Sequence, residues 1–134
     1  MATRDEFIRQ FRGDSFGKLT PETSEDEFFQ NETLRPILKL QNDLLLIVFQ
    51  NYLTKNKVNF QQFTLEKKLN FIENAIQKDI KFRNSLKGIV IGLFTIEEYH
   101  RYIGNSSALN KRMMNLIIER IKSQAELVAP LVFK

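Results

Sequence analysis

The sequence has no cysteine, and His100 is its single histidine. The lack of cysteine excludes disulfide bonds, thiolate metal sites and a cysteine nucleophile, and it is compatible with a reducing compartment. One histidine excludes a metal site built from several histidines. The chain also lacks a Walker A loop, a dinucleotide-binding fingerprint and a G-x-S-x-G turn. We therefore expect no catalytic residue, no cofactor and no metal site, and a protein that is not an enzyme.

Long hydrophobic runs are also missing. The longest unbroken apolar stretch is Leu44–Phe49, far short of the ~18 to 20 residues that a membrane-spanning helix needs. No basic stretch followed by an apolar stretch occurs near Met1, so we expect no signal peptide. These features predict a cytoplasmic protein that does not contact the membrane.

Apolar residues recur at helical spacing around Leu44–Phe49, and the chain is long enough to form one domain with its own core. This segment carries two apolar stripes, so it requires neighbouring elements on two sides. The first stripe consists of Ile37, Leu40, Leu44 and Val48, and the second of Leu38, Leu45, Phe49 and Tyr52. Pro36 suits the first turn of a helix. We predict an all-α fold, a bundle of five or six helices in a single domain (1–134), around a central buried helix at about 34–54.

Several short patterns predict where the helices begin and end. Ser or Thr followed by Glu three residues later is a capping box, and glycine after a helical pattern is a common stop. We expect helix starts at Thr3, Ser24, Thr64, Thr95 and Ser106, helix ends at Gly13 and Gly104, a loop over 13–21, and a kink or break at Asp79.

Gly88 and Gly92 lie four residues apart in an apolar stretch. On a helix this spacing exposes a flat strip that another backbone can approach closely, at a cost of about 1 kcal/mol of helix propensity per glycine. The strip either packs inside the molecule, which we favour, or forms a seam between two copies.

The charge is unevenly distributed. Up to Thr33 there are four basic and eight acidic residues, a formal charge of −4, and the remainder carries +8, which together give the net +4 of the chain. This asymmetry suggests an acidic arm (about 1–33) packed on a basic body (34–134), or a basic face kept for an anionic partner. An ordinary solvated surface is the third interpretation.

One set of residues is dense in basic and amide groups. Asp79, Arg83 and Lys87 fall at successive positions i, i+4 and i+8 of a predicted helix, and the last helix adds further polar groups. We predict a surface that binds an anion or a partner, formed by Lys78, Asp79, Arg83, Asn84, Lys87, Asn110, Lys111 and Arg112. The alternative is an ion-paired polar seam between two helices.

The segment 95–122 also fits a degenerate helix-turn-helix. A capped helix at Thr95 is followed by a glycine turn at Gly104 and a helix carrying Lys111 and Arg112, which in that motif would enter the major groove. The pattern departs from the motif at His100, where a small residue is expected, and at Asn105 and Asn110, where apolar residues are expected.

Residues 30–123 resemble a group of short, all-helical, uncharacterised bacterial proteins. The likeness is carried by Asn31–Asp43, Asp79–Gly88 and Asn105–Leu116. Members of the group sometimes carry the label glyoxalase, which implies a metal-dependent enzyme acting on methylglyoxal with glutathione. The βαβββ modules and the His and Glu metal ligands of such enzymes differ from the helical pattern and single histidine found here, and no family site residue can be carried over.

We therefore expect a small cytoplasmic interaction module whose basic, amide-rich face binds an anionic protein surface or a second copy of the chain. DNA binding through 95–122 is the first alternative. A glyoxalase-like enzyme is the second.

Overall fold

The computed structural model describes residues 2–13 and 23–129, and these two ranges contain helices and no strand. The all-α bundle predicted from the sequence is confirmed. The α-helices are α1 (Arg4–Arg12), α2 (Glu25–Phe29), α3 (Arg35–Leu40), α4 (Asn42–Lys55), α5 (Leu65–Lys78), α6 (Ile80–Ile91), α7 (Ile96–Ile103) and α8 (Ser106–Lys122). A π-helical turn (Gln30–Leu34) joins α2 to α3, and short 3-10 turns occupy Phe60–Gln62 and Ala125–Leu127. Over the described ranges, no helix has the length and apolar character needed to cross a membrane.

Most of the predicted helix starts are confirmed. The side chains of Thr3, Ser24, Thr64 and Thr95 each accept a hydrogen bond from a backbone N–H of the following turn, and Thr3 and Thr95 form complete capping boxes. α8 begins at Ser106, but Ser106 is not its cap: the N-cap is Asn105, whose side chain makes no capping hydrogen bond. The predicted loop over 13–21 lies outside the described residues except for Gly13.

The π-helical turn has a clear local cause in Pro36. Proline has no N–H, so the carbonyl of Glu32 lacks the donor that an α-helix would supply four residues later. That carbonyl instead accepts a hydrogen bond of 3.1 Å from Nη2 of Arg12. Pro36 lies in the first turn of α3, as predicted, and the π-helical turn joins this helix to α2 in a nearly continuous helical stretch that begins at Glu25.

The core forms around two segments. The predicted central segment (34–54) supplies fully buried side chains from both of its parts: Leu34, Ile37, Leu38, Leu45, Phe49 and Leu53. α8 has an equally central position, because it contacts α3, α4, α5, α6, α7 and the π-helical turn. Its buried side chains are Leu109, Met113, Met114, Ile117, Ile118 and Ile121.

One of the two predicted stripes on the central segment is only partly buried. The helix bends at Gln41, where α3 ends and α4 begins, and Leu40 and Leu44 each keep 46% of their surface exposed. Ile47 is also half exposed. The expectation that this stripe is covered along its whole length is therefore wrong, and the outer side of α3 and α4 presents three large apolar side chains to solvent.

Gly88 and Gly92 are exposed on the outer side of α6. A Cβ added at Gly88 would meet nothing within 4 Å, and one added at Gly92 would meet only the Gly88 carbonyl at 3.2 Å. The favoured interpretation, close packing inside the molecule, is therefore wrong. The strip faces solvent.

Candidate anion-binding cleft

A polar cleft of about 430 Å³ lies between α6 and α8, with the end of α5 at its edge. This volume falls within the range of small-molecule sites in proteins. The cleft is lined by Gln77, Arg83, Lys87, Ser107, Asn110, Lys111, Met114 and Asn115. Four of the eight residues predicted from the sequence, namely Arg83, Lys87, Asn110 and Lys111, therefore share one concavity.

Helical spacing explains how each wall is formed. On α6, Arg83 and Lys87 are four residues apart and lie on one side of the helix. On α8, Ser107, Lys111 and Asn115 follow the same spacing, and Asn110 and Met114 form a second, parallel row. Apolar residues of both helices face the core, Met114 among them, and the polar residues of these rows remain at the surface where the helices meet.

Asp79 sets the position of α6. It ends α5 and caps α6, with its Oδ1 accepting from the backbone N–H of Phe82 at 3.1 Å and its Oδ2 accepting from the Tyr52 hydroxyl at 2.9 Å. These two hydrogen bonds, that from Phe82 first, lower the pKa of the Asp79 carboxyl. The ring of Tyr52 stacks on Phe82 with centroids 4.0 Å apart, which ties the start of α6 to α4. The break predicted at Asp79 is confirmed.

The cleft concentrates positive charge without a counter-charge. Its lining contains three cationic side chains and no carboxylate. Within the described ranges, Lys87 and Lys111 form no ion pair, and Arg83 donates only to the backbone carbonyl of Gln77 at 3.3 Å. The ion-paired seam considered as the alternative is therefore not what forms here.

Neutral hydrogen-bonding groups complete the lining. The Oδ1 of Asn110 accepts a hydrogen bond of 2.5 Å from the Tyr102 hydroxyl, which fixes the amide and leaves its NH₂ group as a donor. Within the described ranges, no hydrogen bond is made by the side chains of Ser107, Asn115 and Gln77. The cleft thus combines three cations with several uncommitted donors, a chemistry suited to an anion.

The other four predicted residues lie elsewhere. Asp79 faces α4 because a step of four residues advances about 40° around a helix, so the row Asp79, Arg83, Lys87 turns from one neighbour to the next. Lys78 and Asn84 are exposed outside the cleft. Arg112 lies on the neighbouring side of α8, toward the π-helical turn, where its Nη1 donates to Oε1 of Gln30 at 3.0 Å. These four residues therefore do not line the cleft with Arg83, Lys87, Asn110 and Lys111.

Sequence reasoning missed Gln77, Ser107, Met114 and Asn115 as parts of this surface. Ser107 directly follows the predicted helix start at Ser106, and Gln77 belongs to the helix before the predicted break. The i, i+4 spacing of Ser107, Lys111 and Asn115 was the available signal, because it places the three on one side of α8.

The predicted helix-turn-helix exists as two helices, α7 and α8, joined at Gly104 and Asn105. The start of α8 is close to acidic groups, because Nδ2 of Asn105 donates to Oδ1 of Asp26 at 2.7 Å. Asp26 belongs to the acidic first turn of α2 with Glu25 and Glu27. Negative charge at this position would repel a phosphate backbone from the first turn of the predicted recognition helix.

A second polar cluster, formed by Arg12, Thr33, Thr95 and Glu98, is buried and fully paired. Arg12 binds both carboxylate oxygens of Glu98, with Nη2 2.8 Å from Oε2, and only 7% and 6% of the two side chains are exposed. Glu98 also accepts from the Thr33 hydroxyl and the Thr95 backbone N–H. Burial alone would raise the pKa of Glu98, but the hydrogen bonds from Arg12, Thr33 and Thr95 outweigh it and the pKa is lowered.

This buried cluster joins α1 to the body, and further contacts of α1 surround it, including the hydrogen bond that Asp5 accepts from the backbone N–H of Ile96. Arginines of the arm bind acceptors of the body: Arg4 donates to the carbonyls of Gly92 and Phe94, and Arg9 pairs with Glu97. The cluster leaves no group free for a ligand, so it holds the fold together.

No group of three or more His, Asp or Glu side chains is placed to hold a metal ion in the part of the chain that the structure describes. Comparison with protein-family models, with curated proteins and with solved structures found no match to this chain. The resemblance to bacterial proteins labelled glyoxalase stays a prediction.

Proposed function

We propose that the protein is a non-enzymatic interaction module that binds an anionic group of a partner protein in the cleft between α6 and α8. The observation that carries this proposal is the meeting of Arg83, Lys87 and Lys111 in one concavity without a carboxylate. Like charges held close together repel one another, and a bound anion relieves this repulsion. A cytoplasmic location, as expected from the sequence, is part of the proposal.

Mapping of anion binding by nuclear magnetic resonance tests this function. Isotope-labelled protein is titrated at low salt with an acidic peptide and, separately, with methyl phosphate. We expect at least one of these anions to shift the backbone resonances of Ser107, Asn110 and Lys111 more than those of α1 and α4, which do not line the cleft. If neither anion perturbs the cleft, the proposed function is wrong.

A matched pair of variants separates the cleft from general surface charge. Lys87→Gln removes a cation that lines the cleft, and Lys81→Gln removes an exposed cation of the same helix outside it. Weaker binding is expected for the first variant and not for the second. Equal losses would mean that anions bind to the overall positive charge rather than to the cleft.

Self-association is a second candidate, favoured by the exposure of Leu40, Leu44 and Ile47 and of the strip at Gly88 and Gly92. Sedimentation velocity over a range of concentrations tests it. A dimer that is lost in Leu44→Glu but kept in Ile96→Glu, where an equally exposed apolar residue lies on α7, would support this candidate. A monomer at every concentration would exclude it.

DNA binding through α7 and α8 is the first alternative. It predicts an affinity that falls steeply with salt, because phosphate contacts release counterions. The acidic turn of α2 beside Asn105 opposes it. A mobility-shift assay at low salt that shows a complex would favour this alternative over a protein partner.

A glyoxalase-like enzyme is the second alternative and rests on the resemblance alone. It predicts metal-dependent turnover of methylglyoxal with glutathione. His100 is exposed on α7, and an assay of the wild-type protein beside His100→Ala with added divalent metals tests it. Turnover that His100→Ala abolishes would replace the proposed binding function.

A further inference from the structure

We infer that the anion recognised between α6 and α8 is a phosphate monoester dianion. This inference rests on the proposed function and specifies its ligand. It is carried by the match between the lining of the cleft and the charge, oxygen count and size of such a group.

The charge of the lining exceeds what a carboxylate can neutralise. Arg83, Lys87 and Lys111 contribute three positive charges, and no carboxylate lines the cleft. A carboxylate carries one negative charge, which a single arginine can neutralise in a bidentate pair, as Arg12 does for Glu98 elsewhere in this chain. A phosphate monoester carries about −1.5 to −2 near pH 7 and has three strong acceptor oxygens.

The hydrogen-bonding groups of the cleft also favour a ligand with several acceptor oxygens. Three cationic side chains and the Asn110 NH₂ group are donors, and Ser107 and Asn115 can donate as well. Three phosphate oxygens can therefore each receive more than one donor. A neutral polar ligand would leave the three cations without a counter-charge.

The shape of the site favours a single phosphate group over a nucleic acid. The cleft is a concavity of about 430 Å³ with no aromatic side chain in its lining, so it offers no surface on which a base could stack. Beyond Lys111, the adjoining surface includes Asp26 of α2 and Glu119 of α8, and these carboxylates would repel a continuous phosphate backbone. Both a phosphorylated side chain and a small phosphorylated molecule present the required group.

Calorimetry with four probes tests the inference. The probes are a peptide with one phosphoserine, the same peptide with serine, the same peptide with glutamate at that position, and methyl phosphate. We expect the phosphoserine peptide to bind at least about tenfold more tightly than the glutamate peptide, because two further charge-assisted hydrogen bonds are formed. Equal affinity of the phosphoserine and glutamate peptides would overturn the inference while leaving anion binding at the cleft intact.

The two sources of the phosphate group give different results. Methyl phosphate that binds as tightly as the phosphoserine peptide indicates a free phosphorylated small molecule, and a much tighter peptide indicates a phosphorylated protein. Either result supports the inference. Absence of binding by both phosphorylated probes overturns it.

Variants locate the binding. Lys111→Gln is expected to weaken phosphate binding by about tenfold or more, and Lys81→Gln to change it less than twofold, because only the first removes a group that lines the cleft. Circular dichroism of both variants shows whether they are folded. A folded Lys111→Gln variant with unchanged affinity would overturn the assignment to this cleft.

Discussion

Glu98 is the one carboxylate among the described residues that is buried in the core of the protein. It is buried, and its negative charge is balanced by Arg12 and by two further hydrogen bonds. Replacing Glu98 with Gln would leave the Arg12 guanidinium buried without a counter-charge. We expect a loss of about 3 kcal/mol in the free energy of unfolding, measured by urea denaturation.

The neighbouring residue Glu97 is the control for this change. Its ion pair with Arg9 is exposed on both sides, with an N–O distance of 3.5 Å. Glu97→Gln should therefore cost no more than about 0.5 kcal/mol. Similar losses in the two variants would contradict the distinction between the buried and the exposed pair.

The lowered pKa of Glu98 also predicts a pH dependence. Because the folded-state pKa lies below the ordinary value of about 4.3, the pair stabilises the fold above that pH and its contribution is lost as pH falls through the folded-state pKa. The unfolding free energy of the wild type should fall more steeply on acidification than that of Glu98→Gln. Parallel curves would show that Glu98 does not titrate as described.

Tyr52 provides a spectroscopic prediction at high pH. Burial first, then the hydrogen bond to Asp79 and its negative charge, raises the pKa of Tyr52 to about 12. Tyrosinate absorbance should therefore include a component that titrates near pH 12 and disappears in Tyr52→Phe. Since the unfolded-state pKa is near 10, the stability linked to Tyr52 is present below that pH and is lost as pH rises toward 12.

Individual residues show where sequence reasoning reaches its limit. The capping boxes at Thr3 and Thr95 were predictable because all the participating groups lie within four residues. The partner of Arg120 was not predictable in this way, because its Nη1 donates to Oδ1 of Asn42, 78 residues away in the sequence, at 3.4 Å. Burial and the nearby charge of Arg35 lower the pKa of Arg120. Such contacts depend on helix packing, which local spacing does not specify.

At the scale of elements, α6 allows a direct test of its exposed strip. Gly88 is in the interior of the helix, and an added Cβ would meet only open space. Gly88→Ala should raise the free energy of unfolding by about 0.5 to 1 kcal/mol, because alanine loses less backbone entropy on folding. Thermal and urea denaturation of the monomer measure this change.

Gly92 is the matched position. It caps the end of α6, and a Cβ there would be 3.2 Å from the Gly88 carbonyl, so Gly92→Ala should gain less than Gly88→Ala. Destabilisation by Gly88→Ala would mean that another backbone does pack on the strip.

α5 shows why the presence of a helix was easier to predict than the extent of its buried side. The 3.6-residue period marks Ile72 and Ile76 as core residues of α5, and both are fully buried. The same period also includes Leu65 and Ile80, but neither residue is buried in the core. Leu65 is exposed in the first turn of α5, and Ile80 belongs to the next helix, after the break at Asp79. A stripe identifies a helix, but the neighbouring elements decide how far it is covered.

At the scale of the whole molecule, the cleft concentrates charge that does not stabilise the fold. Removing one cation from a cluster of three reduces repulsion and breaks no ion pair among residues 2–13 and 23–129. We expect Lys87→Gln and Lys111→Gln to leave the free energy of unfolding unchanged or to raise it by up to about 0.5 kcal/mol at low salt. Urea denaturation at two salt concentrations measures this.

A loss of stability in either variant would indicate a structural role and weaken the functional assignment. Lys122→Gln is the contrasting variant, because Lys122 pairs with Glu73 at 3.3 Å and its loss should be slightly destabilising.

The global charge pattern was only partly informative. The basic surplus of the body correctly directed attention to Arg83, Lys87 and Lys111, since those side chains meet between α6 and α8. It did not indicate that Asp79 and Arg112 would face other helices. Which basic residues converge depends on how α6 and α8 pack in three dimensions, and the packing of α8 against almost every other helix could not be derived from its own pattern.

Through its hydrogen bond to the Glu32 carbonyl, Arg12 replaces the donor that Pro36 lacks, so α1 stabilises a distant part of the chain. A protease that clipped the chain just after Gly13 and released α1 would leave two defects at once: a buried acid without its cation and a carbonyl without a donor. A shortened form produced in this way should be scarce in cells, because its open state would be degraded faster than the intact chain.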